Sequence, residues 1–521
     1  MYTRLLFILL LGATWMCSCQ TEQSPVNTLA DRVTEGTSKD RILFRMIADE
    51  NNPLKDYFEI SSEDGKVLIT GNSDLSLATG LNWYLKYVAG IHLSWNNLSQ
   101  KLPEILPLPQ EKIRKKTSMQ NRYYLNYCTY SYSMAFWDWE RWEKEIDWMA
   151  MHGINMPLSI TGMEVVWYNL LKRLGYTTEE VNEFISGPAF MAWWQMNNLE
   201  GWGGPNPDSW YQQQEALQKK IVARMRELGI EPVFPGYAGM VPRNIGEKLG
   251  YQIADPGKWC GFPRPAFLST EDEHFDSFAA MYYEELEKLY GKANYYSMDP
   301  FHEGGNTEGV DLAKTGASIM AAMKKANPKA VWIIQAWQAN PREEMIASLN
   351  QGDLLVLDLY SEKRPQWGDP DSMWYREKGF GKHDWLYCML LNFGGNVGLH
   401  GRMGSGEKYP RTSEENSRAE HPYPHDKTLA YTGDNVVMPL QKQPYPSTET
   451  SSRNCGPDSP HTATVRPAAG NRGARSWKTR FCIRLSYIIH APKRQNQRAT
   501  VTLKRRDWDA PPLKTEDFNR C

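Results

Sequence analysis

Helix-like and strand-like patterns alternate along the chain from about residue 120. Trp139, Trp142, Ile146 and Met149 recur at helical spacing, and a short apolar run over 154–160 follows them. The same order then repeats, with predicted helices over 209–228, 272–290, 307–325 and 342–349 and predicted strands over 231–237, 295–298, 330–336, 354–359 and 385–391. Strands that alternate with helices pair in parallel. At least six such units in series favour a (β/α)8 TIM-like barrel over an open doubly wound sheet.

A smaller unit precedes this barrel, which we predict over 118–403. The predicted elements of the smaller unit are strands over 41–48, 57–60 and 66–70 and a helix over 74–88. They indicate a small α/β domain over 41–110 that ends in a proline-containing linker. We find no G-x-G-x-x-G segment after a strand and no phosphate loop, so the pattern disfavours a nucleotide-binding fold.

The N-terminus has the pattern of a secretory signal. Arg4 supplies a positive charge, and the apolar run Leu5–Met16 is too short to span a bilayer as a helix. Ser18 followed by Cys19 resembles a bacterial lipoprotein cleavage site. This predicts a signal peptide over 1–19, a lipidated Cys19, a tether over 20–40, and a lipid-anchored position in the periplasm or at the outer membrane surface. Ordinary cleavage without a lipid is the alternative.

The sequence changes character after about residue 403. Neither a helix period nor a strand period is sustained over 404–521, and no acidic residue occurs between Asp458 and Asp507. We therefore predict an atypical basic tail of low order and interpret it as the product of a shifted reading frame. The TIM-like barrel is then incomplete at its C-terminal end. A basic tail that binds an anionic surface is the alternative.

Composition narrows the choice of partner. The formal net charge is −2, so the total charge gives no reason to expect nucleic acid. The chain contains 20 Trp and 27 Tyr, an aromatic content that suits stacking against the C–H faces of sugars. Aromatic side chains also serve as large core residues, so composition leaves both interpretations open.

The best candidate for acid/base chemistry is the stretch Asn294–Gly305, where Asp299, His302 and Glu303 follow an apolar strand. The C-terminal ends of barrel strands share one mouth. Amide, hydroxyl, carboxyl and Trp groups are expected there, and they suit a neutral polyol. The side chains expected at this mouth include no Cys/His set typical of a metal site, so we predict neither a metal nor a cofactor.

Glycoside hydrolysis needs two carboxyl groups that flank the scissile bond. We predict that Glu303 donates the proton, because it lies just past a buried strand. Asp299 is assigned a supporting role, in which it orients Glu303 or a sugar hydroxyl. His302 is interpreted as structural.

Residues 41–403 resemble the α-N-acetylglucosaminidases of glycoside hydrolase family 89. The matching segments are N-Y-C-T-Y-S-Y-S from Asn126, W-D-W-E-R-W-E-K-E-I-D-W-M-A-M-H-G-I-N from Trp137, G-P-A-F-M-A-W from Gly187, M-D-P-F-H-E from Met298, L-L-V-L-D-L-Y from Leu354 and C-M-L-L-N-F-G-G-N from Cys388. The resemblance implies a small α/β domain, a (β/α)8-like barrel and an all-helical C-terminal domain. It also implies retaining exo-hydrolysis of terminal α-linked N-acetylglucosamine from glycans.

The resemblance also implies roles for individual residues. The proton donor falls on Glu303, and the residues implied to bind the sugar are Asn126, Cys128, Tyr132, Glu164, Trp337 and Asn392. The family nucleophile, a Glu in a G-x-G-M-x-P-E-G type segment, has no counterpart here. The nearest segment in position, 432–439, has no Glu after its proline. Two hypotheses therefore stand: an exo-glycosidase, inactive as written if the nucleophile is missing, or a non-catalytic N-acetylglucosamine-binding relative.

Overall fold

The computed structural model describes residues 24–47, 56–117, 119–361, 364, 366, 370–388 and 390. Three sequence predictions lie outside these residues: lipidation of Cys19, sugar binding by Asn392 and the tail over 404–521. The predicted signal peptide over 1–19 and the segment 432–439 also lie outside them. Within the described ranges, no helix combines the length and apolar character needed to cross a bilayer.

The segment predicted as a tether contains a packed helix, α1 (Pro25–Val33), so that prediction is wrong from Pro25 onward. Its buried side chains recur at i, i+3, i+4 and i+7 and form one apolar stripe: Val26, Leu29, Ala30 and Val33. Arg32 adds a bidentate ion pair, with its Nε and Nη2 each 2.7 Å from the Asp147 carboxylate. The helix is therefore part of the folded domain and is tied to the barrel.

A four-stranded sheet forms the small N-terminal domain. Its strands are β1 (Ile42–Met46), β2 (Tyr57–Glu63), β3 (Lys66–Gly71) and β4 (Ile113–Lys116), in the order β1-β3-β2-β4. Only the β1–β3 pair is parallel among these four strands. Helix α2 (Asp74–Tyr87) packs on the sheet and begins at Ser73, whose hydroxyl accepts the Ser76 N–H. The predicted domain is present, but β4 extends its sheet past the predicted boundary at residue 110.

The strands of the second domain include very short ones. They are β5 (Tyr123–Tyr124), β6 (Met156–Pro157), β7 (Val233–Pro235), β8 (Met240–Val241), β9 (Ile253–Ala254), β10 (Lys258–Trp259), β11 (Phe262–Pro263), β12 (Ala266–Leu268), β13 (Tyr295–Ser297), β14 (Val331–Ala336), β15 (Leu354–Asp358) and β16 (Asp384–Tyr387). Parallel pairing joins β5 to β6, a Leu158–Val233 bridge leads to β7, and β13, β14, β15 and β16 follow in order. This sequential parallel order confirms the predicted TIM-like barrel.

Helices connect these strands, as the alternating pattern predicts. They are α3 (Tyr127–Thr129), α4 (Trp139–Met151), α5 (Met163–Arg173), α6 (Thr178–Phe184), α7 (Met191–Gln195), α8 (Asp208–Glu227), α9 (Ile245–Leu249), α10 (Phe275–Tyr290), α11 (Leu312–Ala326) and α12 (Glu343–Ala347). Caps set several boundaries: the Asp311 side chain accepts the Lys314 N–H at 3.0 Å. Helix α11 therefore begins at Leu312 rather than at the predicted residue 307.

An excursion between β7 and α10 was not predicted. It contains a three-stranded sheet in the order β8-β12-β9 and a two-stranded hairpin of β10 and β11. In the hairpin, Trp259 pairs with Phe262. This excursion matters for function, because Trp259 and Arg264 extend from it toward the strand end that carries Glu303.

Candidate active site

The loop after β13 makes a tight turn that presents Glu303. Phe301 and Glu303 both have left-handed backbone conformations, with φ of 58° and 49°. A Cβ on Gly305 would lie 2.7 Å from the Phe301 Cα, so the turn has no room for a larger residue there. Non-glycine residues in this conformation are uncommon and concentrate at functional sites.

The Glu303 carboxylate accepts three side-chain N–H groups. Its Oε2 atom accepts from Asn198 Nδ2 at 3.1 Å and from Trp259 Nε1 at 2.6 Å, and its Oε1 atom accepts from Trp337 Nε1 at 3.0 Å. The three donors come from three separate segments: the turn after α7, strand β10 and the end of β14. Because the side chain is only partly exposed, these charge-assisted hydrogen bonds fix the carboxylate in one orientation.

Arg264 lies behind Glu303 and is completely buried. Its Nη2 donates to the backbone carbonyl of Glu303 at 2.8 Å, and its Nη1 donates to Asn198 Oδ1 at 2.9 Å. Burial lowers the pKa of Arg264 to about 10, and the nearby Glu303 carboxylate opposes this shift. The guanidinium thus fixes the Asn198 amide so that its N–H group faces Glu303.

Asp299 links the Glu303 loop to the end of β14. Its carboxylate accepts the backbone N–H of Gln335 at 2.7 Å, the Gln335 Nε2 at 2.6 Å and the Asn340 Nδ2 at 3.3 Å. Burial raises the pKa of Asp299, while His302 and these donors act in the opposite direction. Asn340 also exchanges backbone hydrogen bonds with Trp337. Asp299 therefore helps to position the indole that donates to Glu303, and the side-chain contacts of its carboxylate are to Gln335 and Asn340 rather than to Glu303.

Three of the predicted sugar-binding residues lie at α3 and the π-helical turn that follows it. Asn126 immediately precedes α3, Cys128 lies within it, and Tyr132 lies in the turn. The Asn126 Oδ1 caps α3 by accepting the Thr129 N–H at 3.0 Å and the Thr129 hydroxyl at 3.1 Å. Burial raises the pKa of Tyr132, and the nearby Cys128 and Glu303 raise it further. The Tyr132 ring contacts Trp193 edge-on at 5.2 Å, and Trp193 stacks on Trp259 at 6.2 Å, so Tyr132 lies on the Trp259 side of Glu303.

Glu164 is separate from this network. It is buried at the start of α5, where its Oε1 accepts Trp210 Nε1 at 2.9 Å. It lines a small cleft together with Tyr130, Trp137 and Gln214, and no group that contacts the Glu303 carboxylate lines that cleft. Burial raises the pKa of Glu164 to about 7. The predicted grouping of Glu164 with the sugar-binding residues is therefore not supported by its contacts.

Two family models match the chain and divide it as the fold does. The α-N-acetylglucosaminidase (NAGLU) tim-barrel domain matches residues 122–421, and the N-terminal domain of the same family matches residues 24–108. This chain belongs to the α-N-acetylglucosaminidase family. The human α-N-acetylglucosaminidase is 36% identical over 354 residues, which cover 65% of this chain and 47% of the human protein.

Solved structures of the family agree with this assignment. The family 89 glycoside hydrolase from Clostridium perfringens, in complex with 2-acetamido-1,2-dideoxynojirimycin, has a TM-score of 0.70 and 38% identity, covering 79% of this chain and 46% of that one. A form of the enzyme with two Glu→Gln substitutions, bound to its substrate GlcNAc-α-1,4-galactose, has a TM-score of 0.71 at the same identity and coverage. The present chain spans about half the length of these relatives.

A second carboxylate is the other requirement of a retaining glycosidase. Besides Asp299, the end of β15 contributes Asp358, which is fully buried and whose Oδ2 accepts the Gln366 backbone N–H at 2.9 Å. Burial raises the pKa of Asp358 to about 7. Among the described residues, neither aspartate shares a hydrogen-bond partner with Glu303.

Sequence reasoning missed three residues that contact Glu303: Asn198, Trp259 and Arg264. They lie 105, 44 and 39 residues before Glu303, on segments without a sustained period. Asn198 follows closely on the matching segment G-P-A-F-M-A-W, which was the only available signal. Trp337, by contrast, was predicted to bind the sugar, and its indole N–H donates to the Glu303 carboxylate.

Proposed function

We propose that this protein removes terminal α-linked N-acetylglucosamine from glycans, with Glu303 as the proton donor. The observation that carries the proposal is the Glu303 carboxylate, held by Asn198, Trp259 and Trp337 at the end of a barrel strand. A carboxyl group fixed between aromatic faces, in a mouth that suits a polyol, is the arrangement that protonates a glycosidic oxygen. Membership of the α-N-acetylglucosaminidase family supports the choice of sugar.

The hydrogen-bond pattern supports Oε1 of Glu303 as the oxygen that carries the donated proton. The Oε2 atom accepts two N–H groups, whereas the Oε1 atom accepts only the Trp337 indole. A protonated carboxyl keeps its carbonyl oxygen as an acceptor and uses the other oxygen as a donor. Protonation at Oε1 displaces one contact rather than two, so Oε1 carries the proton toward the leaving oxygen.

The retaining route needs a second carboxylate about 5 Å from the first. The test is a direct assay of the purified chain on 4-nitrophenyl α-N-acetylglucosaminide, with the β-anomer as a matched control. Release of nitrophenol from the α-anomer alone supports the proposal. Calorimetric titration with N-acetylglucosamine and with 2-acetamido-1,2-dideoxynojirimycin measures binding independently. If both ligands bind and neither anomer is cleaved, the chain is a non-catalytic binding relative; if nothing binds, both hypotheses fail.

We also propose that Cys19 carries a lipid that anchors the protein in the cell envelope. The support is the apolar run Leu5–Met16 followed by Ser18 and Cys19. Metabolic labelling with palmitate in a bacterial host should mark the wild-type protein and should fail to mark Cys19→Ala. Equal recovery of both forms from the soluble fraction, without label, would leave ordinary cleavage as the explanation.

A further inference from the structure

Arg264 is a buried cation whose protein partners are all uncharged groups. Its terminal nitrogens donate to the Glu303 carbonyl at 2.8 Å, to Asn198 Oδ1 at 2.9 Å and to the Asn197 carbonyl at 3.3 Å. Its Nε is also buried, and among the described residues no acceptor contacts it. Burial lowers the pKa of Arg264 to about 10, so the side chain stays charged at neutral pH. A buried charge without a counter-ion is costly, so this guanidinium favours an anion at its unpartnered N–H.

A small cavity adjoins this guanidinium. Arg264 lines it together with Asn197 and Phe301. These two residues belong to the segments that the guanidinium contacts, since Asn197 precedes Asn198 and Phe301 lies two positions before Glu303. Among the described residues that line the cavity, Arg264 is the one that carries a charge, and the others are apolar apart from Asn197. The Asn197 amide adds N–H donors to the lining. The cavity is therefore electropositive and otherwise largely apolar.

The carboxylates near Arg264 have other partners. Arg243, which donates to the Arg264 carbonyl at 2.9 Å, forms a bidentate ion pair with Asp255 at 2.8 and 3.0 Å. The Asp255 carboxylate also accepts the Gly257 N–H at 2.9 Å. The Glu303 carboxylate attracts the guanidinium through space, but its oxygens accept the three side-chain N–H groups described above. When Glu303 takes up a proton, Arg264 loses even this attraction.

We propose that this cavity binds a small monovalent anion, chloride, at the Nε of Arg264. One unpartnered N–H and one positive charge match a single negative charge, whereas a polyanion would leave charge unpaired against the apolar lining. The anion and the Glu303 carboxylate compete for the same guanidinium and repel each other. By reciprocity, a bound anion favours the uncharged form of Glu303, which is the form that donates a proton. This last step rests on the function proposed above, and the anion site itself does not.

The first test measures anion binding through protein stability. The midpoint of thermal unfolding is titrated with sodium chloride against sodium gluconate at constant ionic strength, because a ligand that binds only the folded state raises the midpoint. In wild-type protein, chloride should raise the midpoint to a saturating value, and gluconate, which is too large for the cavity, should not. In Glu303→Gln, which lacks the competing charge, half-saturation should occur at about tenfold lower chloride concentration.

Two arginine variants show whether the response belongs to this cavity. Arg264→Gln should lose the saturating rise, because it removes both the charge and the Nε donor. Arg173→Gln is the matched control, since Arg173 lies on α5 in an exposed ion pair with Glu284, and it should titrate like wild type. No saturating rise in wild type, or an equal rise in Arg264→Gln, would overturn the anion site. An unchanged half-saturation in Glu303→Gln would overturn the competition with its carboxylate.

Two measurements on wild-type protein decide the question even if Arg264→Gln does not fold. In crystals soaked in sodium bromide, an anomalous peak in contact with Arg264 Nε supports the site, whereas bromide at the surface alone, an adventitious ion only, would overturn it. On an aryl α-N-acetylglucosaminide, chloride should raise kcat/KM about twofold or more relative to gluconate.

The outcomes separate this inference from the proposed function. A chain that binds bromide at Arg264 but cleaves no α-N-acetylglucosaminide would overturn the proposed function and leave the anion site standing. An active chain that binds bromide there, but whose kcat/KM does not respond to chloride, would overturn the link between the anion and Glu303.

Discussion

Glu303 lies in the loop after β13 and Glu164 lies at the start of α5 in the same barrel, and an indole N–H donates to each of them. Their surroundings otherwise differ. Glu303 is partly exposed and accepts N–H groups from three distant segments, whereas Glu164 is 2% exposed and has Trp210 and its own backbone N–H as partners. For Glu164, burial outweighs these two donors and raises its pKa to about 7.

The comparison contrasts two kinds of surroundings for a carboxyl group. Donors that converge from several loops hold a charged group in one position, and only the folded barrel can assemble them. A carboxyl group that is buried with few donors costs free energy when it ionises, and it affects stability more than chemistry. The predictions below test this distinction.

The largest expected difference concerns catalysis. Glu303→Gln should lower kcat/KM on an aryl α-N-acetylglucosaminide by a factor of about 10² to 10⁴, because the amide cannot donate the proton. Glu164→Gln should change kcat/KM by less than about twofold. Steady-state kinetics of the two variants beside wild type provide the measurement. A large loss of kcat/KM in Glu164→Gln would contradict this prediction and would support the assignment of Glu164 to the sugar-binding residues.

The second prediction concerns stability against pH. The pKa of Glu164 is raised from 4.5 in the unfolded chain to about 7 in the folded protein, so folding takes up a proton between these values. The stability that this protonation provides is fully present below pH 4.5 and is lost as pH rises through about 7. Glu164→Gln lacks this dependence. Its unfolding free energy relative to wild type should therefore rise by about 3 kcal/mol between pH 4 and pH 8.

Urea unfolding of both proteins across this pH range measures the difference. Asp358 titrates in both proteins, so its contribution cancels. A difference that stays flat with pH would mean that folding leaves the pKa of Glu164 at its ordinary value.

The third prediction concerns the support behind the site. Asp299→Asn places an amide donor against the N–H groups of Gln335 and Asn340. The mismatch should lower the unfolding free energy by about 2 kcal/mol. It should also weaken N-acetylglucosamine binding, since the Trp337 turn loses its anchor. Chemical unfolding and calorimetry on one preparation provide both values, and unchanged binding despite lost stability would show that Asp299 does not position Trp337.

The smallest expected effect comes from single indole N–H groups. Trp337→Phe and Trp259→Phe each remove one donor to Glu303, and Trp210→Phe removes the donor to Glu164. Each change should cost about 1 kcal/mol. In Trp337→Phe and Trp259→Phe we expect this cost to appear as weaker ligand affinity. In Trp210→Phe we expect it to appear only as lower stability. Calorimetry beside thermal unfolding distinguishes them, and a weaker affinity in Trp210→Phe would contradict the separation of the two regions.

The sequence predicted those helices and strands that are long enough for their hydrophobic pattern to repeat. The strand over 330–336 and the helix over 209–228 agree with β14 and α8 to within a residue or two, because burial imposes a regular spacing. The two-residue strands β5, β10 and β11 have no such period, and their pairing partners are far along the chain or across a hairpin. The helix α1 did carry the spacing of an apolar stripe, but the adjacent signal-like segment favoured a tether.

The sequence by itself determined the family, the barrel and the position of Glu303, because each is encoded in local order: an apolar strand, the acidic loop after it, and matching segments in sequence. The tertiary structure alone decided which groups surround that carboxylate. Asn198, Trp259 and Arg264 meet Glu303 only when loops from different units fold onto one face. These hydrogen bonds join residues that are 39 to 105 positions apart in the sequence. They depend on how the barrel brings distant segments together, and a local sequence pattern carries no information about that.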